Sequence, residues 1–208
     1  MDEQAIITFL SGNLEETVQA ITIIGFMIFL INYSRGRKIS KSDLDECIYY
    51  LYCKTSKRKP EYIPDQKLID QFNKDPYNEI TLLKLAKDII GHCGYKPAAL
   101  IVKVKDNSEG NEAGMYRIFR NASTIEIIRR PGAGKAEILA TLIHECMHFQ
   151  LRARGIIMAD KKKNEYMTDI ATVYYGFYKY MYEGYGRVGY LGKGDLKYTY
   201  KKINSLKY

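Results

Sequence analysis

Apolar and polar positions divide the chain into an uncharged N-terminal run, a helical stretch, three short β segments and a longer helical half. Thr17 to Tyr33 holds no charged residue, and Arg35, Arg37, Lys38 and Lys41 follow it closely. Leu44 to Tyr52 predicts a short helix begun by Ser40 or Ser42, after which Pro60 and Pro64 mark a linker. Pro76 to Ile90 predicts an amphipathic helix with Ile80, Leu83, Leu85, Ala86 and Ile89 available for burial. Ala99–Val104, Met115–Phe119 and Ser123–Ile128 are rich in β-branched and aromatic residues and are separated by Asp, Asn and Gly, which predicts a small antiparallel sheet. Arg130 to Gly134 is turn-forming. Lys135 to Arg154 then carries apolar residues on most sides, from Ile138 through Leu151, and Gly155 ends it, as expected of a buried helix. The pattern is that of an α+β protein.

Inside the buried helix stands His144-Glu145-Cys146-Met147-His148, the H-E-x-x-H spacing. A separation of four residues stacks two imidazoles one turn apart on one helix face, close enough to share a cation. Two histidines and a third protein ligand around zinc leave one position for water, and Glu145 lies beside that position as general base. The bland alternative is two half-buried histidines with a chance glutamate between them, although the chain has only three histidines in all. Gly132-Ala133-Gly134-Lys135 does not make a phosphate-binding loop, because Arg129 stands where the first glycine belongs and Ala136 where Ser or Thr belongs.

The segment resembles the active-site helix of zincin metallopeptidases, and Glu165-Tyr-Met-Thr-Asp169 is similar to the E-x-x-x-D of the gluzincin branch. The resemblance covers about thirty residues. It implies one zinc ion held by His144, His148 and Glu165, with Asp169 as the carboxylate behind a zinc histidine or as the alternative third ligand. Spacing agrees, since Glu165 and Asp169 share one face of a second helical stretch. The competing reading is a solvated carboxylate pair balancing Lys161, Lys162 and Lys163. The resemblance also nominates Thr124 to Ile128 as the strand closest to the metal, where a sheet edge pairs with an extended peptide. Beyond Asp169 the chain is tyrosine-rich, and Tyr174 and Tyr175 are the candidate oxyanion donors, against the plainer reading that they pack in the core. His92 is expected to cap a helix.

Length and charge refine this. The chain has 208 residues and a formal charge of +8. The run from Thr17 to Tyr33 reaches the lower bound of length for a membrane span, and acids before it with bases after it orient its C-terminal side to the cytoplasm. Those same acids argue against a cleaved signal peptide. Cys47, Cys53, Cys93 and Cys146 form no C-x-x-C pair, and reduced thiols suit a cytoplasmic domain. The cationic residues are scattered, which argues against nucleic acid as a partner, and anionic lipid accounts equally well for the basic patch after the apolar run.

The sequence therefore predicts a zinc-dependent endopeptidase of zincin-like α+β fold, acting on a peptide or protein. Residues 1–34 form a membrane anchor, 35–64 a basic linker with a short helix, and 65–208 the cytoplasmic catalytic domain. A soluble cytoplasmic enzyme is the alternative location. Two other functions compete: a non-catalytic membrane-associated binding protein on the same scaffold, and a DNA-associated repressor-cleaving protease with a helix-turn-helix in Ser40 to Phe72.

Overall fold

The computed structural model describes residues 39–55, 58–106, 113–119, 122–184 and 189–206. By internal contacts the chain divides into Met1–Ser40 and Lys41–Tyr208. Three helices precede the sheet: α1 (Lys41–Lys54), α2 (Gln66–Lys74) and α3 (Glu79–His92). Three strands follow, β1 (Leu100–Asp106), β2 (Gly114–Phe119) and β3 (Ala122–Arg129). The remaining helices are α4 (Lys135–Ala153), α5 (Lys161–Tyr174), α6 (Tyr178–Glu183) and α7 (Lys193–Ser205). Among the described residues no helix is long and apolar enough to cross a membrane. The apolar run 17–33 lies outside the described residues.

Local chemistry fixes the helix starts. Asp65, Asn78 and Asp160 accept from the backbone N–H groups of Leu68, Thr81 and Lys163, satisfying donors that a helix start leaves open. α3 buries Leu82, Leu85, Ala86, Ile89 and Ile90, the i, i+3, i+4, i+7, i+8 stripe, and Ile80 in its first turn is 67% exposed. The buried face is thus rotated from the one expected around Ile80 and Leu83. Between α1 and α2 lie eleven residues, in place of the three- or four-residue turn of a helix-turn-helix.

The sheet is mixed, which corrects the antiparallel expectation. Strand order is β1-β3-β2, with β2 antiparallel and β1 parallel to β3. Residues 120 and 121 alone separate β2 from β3, and so short a connection allows only a hairpin. β1 then takes the other side of β3 and lies under α3. The side chains explain why β3 is central. Ile125 and Ile127 are buried towards the helices, while Glu126 on the opposite face is 7% exposed and held by Lys105 of β1 at 2.7 Å and Arg117 of β2 at 3.5 Å. A carboxylate needing cations from both sides belongs on a middle strand.

α4 runs through the centre. From Ile138 to Leu151 every residue except His148 is buried, and each large apolar side chain so covered contributes about 2 kcal/mol. α5 packs beside it with Thr168 and Asp169 turned towards His148 and His144, and buries Met167, Ile170 and Ala171 elsewhere along its length. α1 is covered along Leu44, Cys47, Ile48 and Leu51. The extended residues before α2 cross the end of α5, where Lys59 and Tyr62 donate N–H groups to the carbonyls of Tyr174 and Gly176.

Candidate metal centre

α4 presents His144 and His148 to α5 one helical turn apart, with ring centroids separated by 4.8 Å and planes at 83°. Their Nε2 atoms are 3.1 Å apart, and Glu165 Oε2 lies 3.1 Å from each. Three potential ligand atoms therefore meet at one point. Asp169 stands behind, its Oδ1 2.9 Å from His144 Nδ1. Thr168 Oγ1 is 3.1 Å from His148 Nδ1.

These outer contacts fix what the inner atoms can do. Asp169 also accepts the backbone N–H groups of Tyr190 at 2.5 Å and Leu191 at 2.8 Å, so towards His144 it acts as a further acceptor and the proton belongs on Nδ1. Thr168 donates its hydroxyl to the Asn164 carbonyl at 2.9 Å, so it too must accept from His148 Nδ1–H. Both neutral rings then turn an Nε2 lone pair inwards, against the lone pairs of Glu165. Three facing acceptors repel unless positive charge sits among them. Ligands about 2 Å from one ion in near-tetrahedral array stand roughly 3 Å apart, so one zinc ion fits these residues.

A proton can meet the same need. Burial works against a charged His144 imidazole, but its contacts with Asp169 and Glu165 prevail and hold its pKa up at about 10. Burial likewise works against an ionised Glu165, and the two imidazoles overcome it, bringing the carboxyl down to about 2. The charge of Glu145 adds to the pull on His144.

Glu145 is 6% exposed and shares a cavity of about 640 Å³ with the three donors. Gly114 and Tyr116 of β2, Lys161 at the start of α5, and Tyr190 complete its main walls. Gly114 permits a close approach, since a Cβ there would stand 2.7 Å from Thr141 Cγ2 and 3.0 Å from Glu145 Oε1. The strand beside the centre is thus β2, where Thr124 to Ile128 of β3 was expected. β3 is paired on both sides and has no free edge, whereas among the described residues β2 ends the sheet.

The structure brings together His144, Glu145, His148, Glu165 and Asp169. It does not bring Tyr174 or Tyr175 to them. Each is 1% exposed, and neither lines the cavity. Tyr174 ends α5 more than a turn beyond Asp169 and Tyr175 caps it, and their buried rings pack on one another at 5.7 Å. Among the described residues the tyrosines at the cavity are Tyr116 and Tyr190. Tyr190 belongs to the tyrosine-rich stretch, but no helical spacing connects it with His144. His92 ends α3, with its Nε2 3.0 Å from the Tyr175 carbonyl, away from the centre. Cys146, on the far side of α4, is fully buried with Sγ 3.9 Å from the Ala86 carbonyl. No family model matches this chain, and neither a curated protein nor a solved structure is significantly similar to it.

Proposed function

We propose that this protein is a zinc-dependent endopeptidase of zincin type, with His144, His148 and Glu165 holding the metal and Glu145 as general base. The observation that carries the reading is the convergence of two Nε2 atoms and one carboxylate oxygen at 3.1 Å, with both Nδ1 atoms engaged elsewhere. Zinc held there supplies a Lewis acid that polarises a carbonyl and lowers the pKa of water to about 7. Glu145 faces the same cavity, takes a proton from the attacking water and passes it to the departing amine. Asp169 and Thr168 keep the imidazoles in the tautomer that leaves Nε2 free. The unpaired edge of β2 offers backbone groups to an extended peptide, and the absence of a side chain at Gly114 keeps that edge against Glu145.

The apolar run 17–33 and the bases after it support a tether to the inner face of a membrane. Metal analysis of wild type beside His148→Ala, with a mass-spectrometric search for cell proteins cut by wild type but not by Glu145→Gln, tests the activity. Zinc in wild type and in Glu145→Gln, with cleavage confined to wild type, is expected. Wild type without metal, or cleavage surviving in Glu145→Gln, overturns the reading.

A further inference from the structure

Asp169 has two attachments. Oδ1 faces His144 Nδ1 at 2.9 Å, and Oδ2 receives the backbone N–H groups of Tyr190 and Leu191 at 2.5 and 2.8 Å. The carboxylate is 1% exposed, so three N–H groups take the place of its water. Gly189 sits directly against it at φ +83°, and a Cβ there would lie 2.9 Å from Oδ1 and 3.0 Å from Oδ2. Gly189 and Tyr190 also line the cavity that holds the three donors and Glu145, and Tyr190 remains 53% exposed there. One side chain therefore fixes both the ring that would bind the metal and a wall of the cleft.

We infer that the Gly189–Leu191 segment and the metal centre form a single cooperative unit joined through Asp169, so that metal binding orders the wall carrying Tyr190. This rests on the metal site proposed above. Three donors converge on one carboxylate, and each donor held in place reduces the freedom left to the others. Fixing His144 on an ion thus fixes Asp169, and Asp169 fixes the amides of Tyr190 and Leu191. By linkage the reverse holds, and an ordered wall raises metal affinity by the same factor. A peptide lying between β2 and Tyr190 then meets a firm cleft in the loaded protein and a looser one in the metal-free protein. The backbone does this work, so the coupling does not depend on the tyrosine side chain.

Amide hydrogen exchange of the full chain, metal-free and with added Zn²⁺, reads the coupling directly. Slower exchange at Tyr190 and Leu191 on adding Zn²⁺ is expected, by about tenfold beyond the change at α1 amides, which report the general stabilisation by bound metal. Gly189→Ala drives a methyl into the carboxylate without touching a proposed ligand, and Zn²⁺ affinity should fall about tenfold. Asp169→Asn places an amide where acceptors are required on both sides, and should weaken Zn²⁺ binding and Tyr190–Leu191 protection together. Competition with a chromophoric chelator measures Zn²⁺ affinity independently of exchange. Tight Zn²⁺ binding with identical protection in both states refutes the coupling and leaves the metal site standing. Failure of wild type to bind Zn²⁺ at all removes the metal site and this inference with it.

Discussion

Removing metal should make the stability of this protein depend on alkaline pH in a way the zinc-loaded form does not share. In the metal-free site the positive charge between His144, His148 and Glu165 is a proton, and His144 keeps it up to about 10. An unfolded histidine releases its proton near 6.5. Because the folded value is the higher, the stabilisation is complete below pH 6.5 and drains away as pH rises towards 10. Within that window the folded state holds one more proton than the unfolded chain, so each pH unit costs about 1.4 kcal/mol. From pH 7 to 9 the metal-free protein should therefore lose about 3 kcal/mol on this account. His144 is 5% exposed, so solvent screening reduces the figure little.

Urea unfolding of metal-free and zinc-loaded protein at pH 7, 8 and 9 provides the measurement. Cysteines and tyrosines that titrate at high pH are common to both forms and cancel in the difference. Zinc replaces the proton, so the gap between the two curves should widen by about 3 kcal/mol over the two units. Histidine NMR of the metal-free protein supplies an independent readout, with one imidazole still protonated at pH 9. A gap that stays constant, with no imidazole protonated at pH 9, would falsify the placement of a proton among these donors. Glu165 behaves oppositely: its depressed pKa gives stability above about 4.5 that is lost as pH falls towards 2.

Two further substitutions test the scaffold. Gly176 has φ +88°, and a Cβ there would lie 2.0 Å from the Pro60 carbonyl oxygen, so Gly176→Ala should lower stability by roughly 3 kcal/mol or more, seen in thermal unfolding. An unchanged Tm contradicts the close crossing at Pro60. Gly114→Ala should leave zinc content intact while cleavage falls on the order of a hundredfold, because the methyl displaces Glu145 or the edge of β2. Wild-type turnover in that variant counts against β2 as the wall beside Glu145.

Much of the fold was legible because its signals are local. The helix around Leu44–Tyr52, the strand segments and the uniformly apolar α4 each announce themselves within a few residues, whereas the caps Asp65, Asn78 and Asp160 emerge only from the structure. Strand order is not local. Nothing in Leu100–Asp106 says on which side of β3 it pairs, and the one hint is Glu126, a carboxylate within an apolar run that needs cations from both neighbours. The same limit misplaced the wall of the cleft. Which strand forms the edge decides whether β2 or β3 faces the centre, and that follows from pairing, not from composition. Tyr190 was illegible for a related reason: it reaches the cavity through backbone N–H groups, which every residue except proline possesses.

The choice between Glu165 and Asp169 rests on helix ends. α4 runs nine residues past His144 and five past His148 before ending at Ala153, while Glu165 and Asp169 lie four and eight residues into α5 from Lys161. At 1.5 Å per residue, His148 sits about 7.5 Å and Glu165 about 6 Å from the turn joining the helices, and His144 about 13.5 Å and Asp169 about 12 Å. In an antiparallel pair, residues at equal distance from the connection face one another. Glu165 therefore lies level with His148 and reaches the Nε2 side of both rings, whereas Asp169, one turn deeper, meets His144 from its Nδ1 side. The short interval between His148 and Glu165 works because Gly155, at φ +69°, turns the chain directly after α4, and Asp160 starts α5 five residues later. One more helical turn at the connected end of either α4 or α5 would shift the levels by about 5.4 Å and take Asp169 away from His144.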